Sequence, residues 1–151
     1  MPEAGRESLA PRVIMAFDFG RRRIGVACGD TISRTASPVG LVLVDASGPR
    51  WQQVESLLKI WAPNLAVVGL PYNVDGSEGA LAGEARRFAA RFKERFSLDV
   101  SMVDERYSSM DAQARLKSAR ESGSMRRRIA KSDIDAAAAC VILERWFTAE
   151  T

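Results

Sequence analysis

The sequence predicts an α/β protein: one mixed β-sheet covered by helices. Three observations carry this. Three apolar runs at the N-terminal end are joined by short links, the pattern of an antiparallel meander. Thereafter helical and strand periodicities alternate, the pattern of βαβ units. Hydrophobic residues make up 46% of 151, enough for a sizeable core.

Val13–Phe19 and Ile24–Cys28 are the first two strands. GRRR links them, with Gly20 free to adopt a positive φ, so the pair reads as a hairpin. VGLVLV at Val39–Val44 is the third strand. In WQQVESLLKIWAPN, Trp51, Val54, Leu57, Leu58 and Trp61 fall at helical spacing, and Pro63 ends the helix. LAVVGL at Leu65–Leu70 is a buried strand. PYNVDGS is a loop, with Ser77 placed to cap the helix that follows. That helix runs to about Phe96, with Leu81, Ala85, Phe88, Phe92 and Phe96 on one stripe and Gly79 and Gly83 weakening its first turns. Val100–Val103 is the fifth strand. Ser109–Glu121 is a weaker helix, SGSMRRRIAK a basic loop, and Ser132–Phe147 an alanine-rich final helix. The expected organisation is a loose tail over residues 1–12 and one domain over residues 13–148, with a five-stranded sheet.

Composition removes several chemistries. There is no histidine, which excludes His-ligated zinc, a Ser-His-Asp triad and a histidine general base within this chain. Two cysteines, Cys28 and Cys140, are too few for a zinc ribbon or a disulfide framework and read as buried thiols. No run approaches the ~18 apolar residues of a membrane span, and the charged first residues do not make a signal peptide, so a cytoplasmic protein is expected. The net charge of +3 is mild, so where the basic residues lie matters more than their number.

Asp18 sits inside VIMAFDF, a run that otherwise reads as a buried strand. An ionised carboxylate there needs a hydrogen-bond network, a cationic partner or a metal. It lies at the C-terminal end of its strand, where ligands of α/β sheets gather. The fifth strand ends in Asp104 and Glu105, on opposite faces; periodicity does not say which shares a face with Asp18. In KSDIDAAAACVILERWF, Asp135 shares a helical stripe with Ala138, Ala139, Ile142 and Trp146, whereas Asp133 points with Ala137 and Glu144 toward solvent. Singly, each acid has a structural reading: Asp18 as a turn-former, Asp135 as part of a capping box with Ser132, Glu105 as an ion-pair partner. Together, carboxylates at separate element ends in a chain without histidine make a hard oxygen donor set suited to Mg²⁺ or Mn²⁺. Basic runs flank them: Arg21, Arg22 and Arg23 follow Asp18, and Arg126, Arg127, Arg128 and Lys131 precede Asp135. That placement favours a polyanionic substrate. The basic residues Arg86, Arg87, Arg91, Lys93 and Arg95 read as the solvated face of a helix.

Four motifs in order, AFDFGRRRIGVA, VVGLPYNVDGSE, VDERYSS and KSDIDAAAACVILERWF, resemble the YqgF/RuvX family of Holliday-junction-resolvase-like proteins and pre-16S rRNA nucleases over residues 13–147. The resemblance implies an RNase H-like fold, nuclease chemistry with one or two Mg²⁺ or Mn²⁺ ions, and action on the 5′ end of precursor 16S rRNA, with the ribosome or pre-30S particle as a partner. Carried over by motif, its acids fall on Asp18, Glu105 and Asp135. Asn73 and Arg106 then become nucleic-acid contacts beside the two basic runs. Rival readings are a structure-selective DNA resolvase and a nucleic-acid-binding module without catalysis. An actin-like ATPase lacks a second domain here, and a protein kinase lacks its glycine loop and catalytic His-Arg-Asp.

Overall fold

The computed structural model describes residues 12–71, 79–104 and 131–149, the side chains of residues 131–133 and 135 apart. Six strands form one mixed sheet: β1 (Val13–Asp18), β2 (Arg23–Asp30), β3 (Ala36–Asp45), β4 (Gly48–Pro49), β5 (Leu65–Leu70) and β6 (Val100–Asp104). Their order across the sheet is β4-β3-β2-β1-β5-β6. Among the described residues the helices are α1 (Trp51–Trp61), α2 (Ala80–Phe96) and α3 (Lys131–Ala149). The antiparallel meander is present as β1-β2-β3, and β5 and β6 join it in parallel on the other side of β1.

The expected count of five strands is corrected to six. The extra strand, Gly48–Pro49, pairs with the end of β3 through Asp45↔Gly48 and Val44↔Pro49. Two residues, one of them proline, carry no readable strand periodicity. β3 also begins earlier than Val39, at Ala36. Its register against β2 shifts between Val26 and Ala27, so Val39 bulges out between Pro38 and Gly40. A bulge accommodates the N–H that Pro38 lacks.

The helices cover both faces of the sheet. Met15, Phe17, Ile24, Val26, Val42, Ala66 and Val68 pack with Val54 of α1 and with Ala85, Phe88 and Phe92 of α2. Ile14, Ala16, Leu65 and Val67 pack on the opposite face with Ile142, Leu143, Trp146 and Phe147 of α3. β1 is therefore buried on both faces, which explains its unbroken apolar run. The expected stripe of α2 is observed, with Ala85, Phe88 and Phe92 buried and Leu81 and Phe96 at its margins. Its N-cap is Gly79, with no side-chain cap, so Gly79 lies before the first turn; Ser77, expected to cap this helix, lies outside the described residues. The expected helix over residues 109–121 lies outside the described residues. Both cysteines are buried free thiols, as expected.

Two glycines have specific work. Gly20 does not take the positive φ expected of it; among the described glycines only Gly48 does. Gly20 is instead required by close approach: a Cβ there would stand 2.6 Å from the Arg23 carbonyl oxygen across the β1–β2 turn. At Gly29 a Cβ would collide with the Thr35 carbonyl oxygen and come within 3.2 Å of Leu143 Cδ2. Backbone on one side and α3 on the other leave no cheap relaxation. Gly29→Ala is expected to destabilise the protein by about 1–3 kcal/mol, the usual range for overpacking. Denaturant unfolding checks this; an unchanged midpoint would mean that the β2–β3 turn gives way freely.

Candidate active site

Asp18 is the last residue of β1 and is half-buried. Strand alternation puts it with Ile14 and Ala16, on the face covered by α3. Its register partner is Gly25 of β2. The next residue, Phe19, is buried in the opposite cluster against α1 and α2. The strand thus ends with a carboxylate on one face of the sheet and an aromatic ring on the other. Asp18 is engaged in an interaction of its own, consistent with the need to compensate a carboxylate beside apolar neighbours.

The arginines that follow do not act as one cluster. Arg21 is exposed and turns to α2, where its Nε donates to Glu84 Oε2 at 2.8 Å. Arg22 is exposed, and its carbonyl accepts from the Val44 amide at 2.9 Å. Arg23 is half-buried, opens β2 and pairs in register with Leu43.

The structure resolves the parity at the end of β6. Val103 packs in the α3-side cluster, whereas Val100 and Met102 pack in the other. Asp104, paired in register with Leu70, is exposed and lies by alternation on the α1/α2 side, opposite Asp18. Asp30 lies at the other end of the sheet: Val13↔Asp30 and Asp18↔Gly25 are five residues apart along β1, about 17 Å. Asp30 binds a turn, accepting from the Ser33 amide (2.7 Å), the Ile32 amide (2.9 Å) and the Ser33 hydroxyl (3.2 Å). These bonds, led by the Ser33 amide, hold its carboxyl below the usual carboxylate range.

α3 runs antiparallel to β1. Ala139 packs on Ala27, Leu143 approaches Gly29, and the Phe147 carbonyl accepts from Arg34 beyond the end of β2. The stripe predicted for this helix is buried: Ala138, Ala139 and Ile142 are at most 1% exposed and Trp146 is 7% exposed. Asp135 lies on α3 one turn before Ala138 and Ala139. The side chains of Asp135 and Lys131 are outside the described residues, as are Glu105, Arg106, Asn73, Arg126, Arg127 and Arg128 altogether. Among the described residues no three acidic, cysteine or histidine side chains come together as a metal site, and the candidate donor set has only Asp18 among them.

One contact was missed in the sequence. Arg145 Nη1 donates to the Asp104 carbonyl at 3.1 Å and ties α3 to the end of β6. Its signal was available: Arg145 adjoins the buried stripe, one residue before Trp146.

Comparison with known proteins adds the following. A family model described as "RuvX: Holliday junction resolvase" matches residues 12–149. A protein of Yersinia pestis (strain Pestoides F) named "Putative pre-16S rRNA nuclease" is 48% identical over 139 residues, covering 92% of this chain and 96% of the relative. A Yersinia pseudotuberculosis (serotype O:1b) protein of the same name matches equally. Among solved structures, Thermus thermophilus RuvC in complex with a Holliday junction substrate superposes with a TM-score of 0.55 at 17% identity, covering 91% of this chain and 95% of that one. Fowlpox virus resolvase with Holliday junction DNA gives 0.53 at 12% identity, covering 91% and 98%. At these identities the likeness is one of fold, and the fold is RNase H-like.

Proposed function

The chain belongs to the RuvX family, and from that premise we propose that it is a divalent-metal-dependent nuclease that hydrolyses phosphodiester bonds in the 5′-end processing of precursor 16S rRNA. In this reading it works in the cytoplasm on the ribosome or pre-30S particle, as one domain over residues 13–148. Asp18, Glu105 and Asp135 form the catalytic carboxylate set, and Mg²⁺ or Mn²⁺ is the cofactor.

The observation that carries the reading is the direction of α3 over the end of β1. From Ala139 on Ala27 to Leu143 at Gly29, one helical turn matches two residues of β2. The steps agree, at about 6 Å for four helical residues and about 7 Å for two strand residues. Continued one turn back, the same step would bring position 135 toward Gly25, the register partner of Asp18. Alternation favours Glu105 over Asp104 as the third acid, because Val103 lies on the α3 side and Asp104 on the other.

The donor chemistry fits a hard cation: carboxylate oxygens in a chain without histidine. Bound there, the metal would supply activation of water and stabilisation of the leaving oxygen. The chain's own residues do the rest. Asp18, at the end of a strand buried on both faces, is held in place by the core beneath it. Arg22 and Arg23, with Arg106, Arg126, Arg127, Arg128, Lys131 and Asn73, position the phosphate backbone without reading its sequence. Arg21 joins them as a phosphate contact in this reading, with its Nε held by Glu84.

A second reading, a structure-selective DNA resolvase, is favoured by the family description and by the Holliday-junction complexes that share the fold. The test uses a labelled RNA bearing the extended 5′ end of 16S rRNA and a labelled four-way DNA junction, each with Mn²⁺, Mg²⁺ or EDTA. Metal-dependent cutting of the RNA is expected. Cutting of the junction alone would replace this reading with the second, and binding without cleavage of either would remove the enzyme altogether.

A further inference from the structure

On the α1/α2 side of the sheet a cleft of about 300 Å³ opens between α2 and the β3–β4 hairpin. Phe19, Trp51 and Phe88 form its apolar wall, with the last two rings stacked at 5.4 Å and 9°. Arg21, Arg87 and Arg91 stand around it. The two acids that also line it are already satisfied. Glu84 holds Arg21 at 2.8 Å. Asp45 Oδ1 accepts from the Ser47 amide at 2.9 Å and hydroxyl at 2.7 Å, and Oδ2 lies 3.4 Å from Arg50 Nε.

Arg87 and Arg91 differ: both are exposed, and among the described residues neither forms an ion pair. On α2 itself, Glu84, three residues before Arg87, is taken up by Arg21, and Glu94, three residues after Arg91, neither lines the cleft nor pairs with either arginine. Like charges four residues apart repel along a helix, yet here they face one cavity. One turn on, Arg95 places its guanidinium 4.7 Å over the Trp51 ring and extends the ridge. These residues were expected to be only a solvated helix face; the cleft gives two of them a common target.

The cleft begins where the candidate active site ends. Asp18 lies on the α3 face, Phe19 lines the cleft on the other, and Arg21 comes from the same turn. A strand leaving Asp18 around the β1–β2 turn meets Arg21 and then α2. We propose that this cleft binds the backbone phosphates of the polynucleotide strand flanking the bond cleaved at Asp18, with Arg87 and Arg91 as the contacts. The inference rests on the nuclease reading above.

The test is binding of a labelled single-stranded RNA to the full chain in EDTA, measured by anisotropy across a salt series. Each phosphate contact contributes about 0.7 to the slope of log affinity against log salt for single strands. The R87A/R91A protein is expected to lose about 1.4 from that slope. The K59A/K93A protein, with the same loss of charge, keeps the wild-type slope, and R87K/R91K, which keeps both charges, does so too. RNA binding with an unchanged slope in R87A/R91A would overturn this inference and leave the nuclease reading standing. Failure of the wild type to bind RNA would overturn both. A nucleoside monophosphate that needs both arginines, while the RNA slope does not, would overturn the strand in favour of a small-ligand pocket.

Discussion

Replacing Asp18 by Asn is expected to lower phosphodiester cleavage by roughly 10²–10⁴-fold while leaving RNA binding intact. The side chains are nearly isosteric, so the β1–β2 turn and the packing of Ile14 and Ala16 against α3 are preserved. What is lost is one anionic donor at the end of β1. Charge stabilisation by a bound divalent ion is worth several kcal/mol in a transition state, and each ~1.4 kcal/mol is tenfold in rate. Binding should hold or tighten, because the substituted site repels phosphate less. A second readout separates metal loss from misfolding. A ligand that binds only the folded state stabilises it by mass action, by about 2.7 kcal/mol at one hundred times its dissociation constant. Mn²⁺ should therefore raise the wild-type melting temperature and raise that of Asp18→Asn much less. Full activity in the variant would make Asp18 a turn-former and nothing more.

Phe92→Ala is expected to cost about 3–5 kcal/mol of stability, the range for truncating a buried aromatic. Phe92 is fully buried, with ring centroids 5.2 Å from Phe17, 5.0 Å from Phe96 and 6.1 Å from Phe88. Such pairs add about 0.5–1.5 kcal/mol each beyond area burial. At about 2–4 °C per kcal/mol for a chain of this size, the melting temperature should fall by roughly 10 °C. Because Phe92 lies on the sheet face opposite Asp18, the protein that remains folded should cleave at the wild-type rate. Calorimetry together with activity per folded molecule checks both halves. A fall of only a degree or two would mean that α2 is not anchored through this ring.

The elements legible in the sequence are those whose periodicity reports burial. β1 and β5 are unbroken apolar runs because both of their faces are covered, and α2 shows its stripe because one side packs on the sheet. The stripe of α3 was readable too, from Ala138 and Ala139 through Ile142 to Trp146. What was not legible has no periodic signal: the two-residue β4, and the start of β3 at Ala36-Ser37-Pro38, whose composition looks like a turn and whose pairing needs a bulge. In the site, Asp18 stood out because a charge inside an apolar run is anomalous by itself. The parity of Asp104 and Glu105 was not readable, because a strand of partly buried residues does not declare which face meets which helix; Val103 settles it for the described part of β6. The arginines of α2 are exposed, as their place off the apolar stripe predicted, but the cleft beside them was not legible. A helical stripe says which residues face away from the core, but not that a neighbouring hairpin walls that side into a cleft.

The covering of β1 by α3 has a consequence for the order of events during synthesis. Ile14, Ala16, Leu65 and Val67 are made early, yet their partners Ile142, Leu143, Trp146 and Phe147 emerge more than 70 residues after Val67. Among the described residues, that side of the sheet has no other helix to rest on until then. Contacts this distant in sequence are slow to form, and an uncovered sheet is prone to aggregate. The same helix carries Asp135. If the proposed carboxylate set is the catalytic one, a nascent chain cannot assemble it before this helix is made, and the nuclease stays silent during its own synthesis.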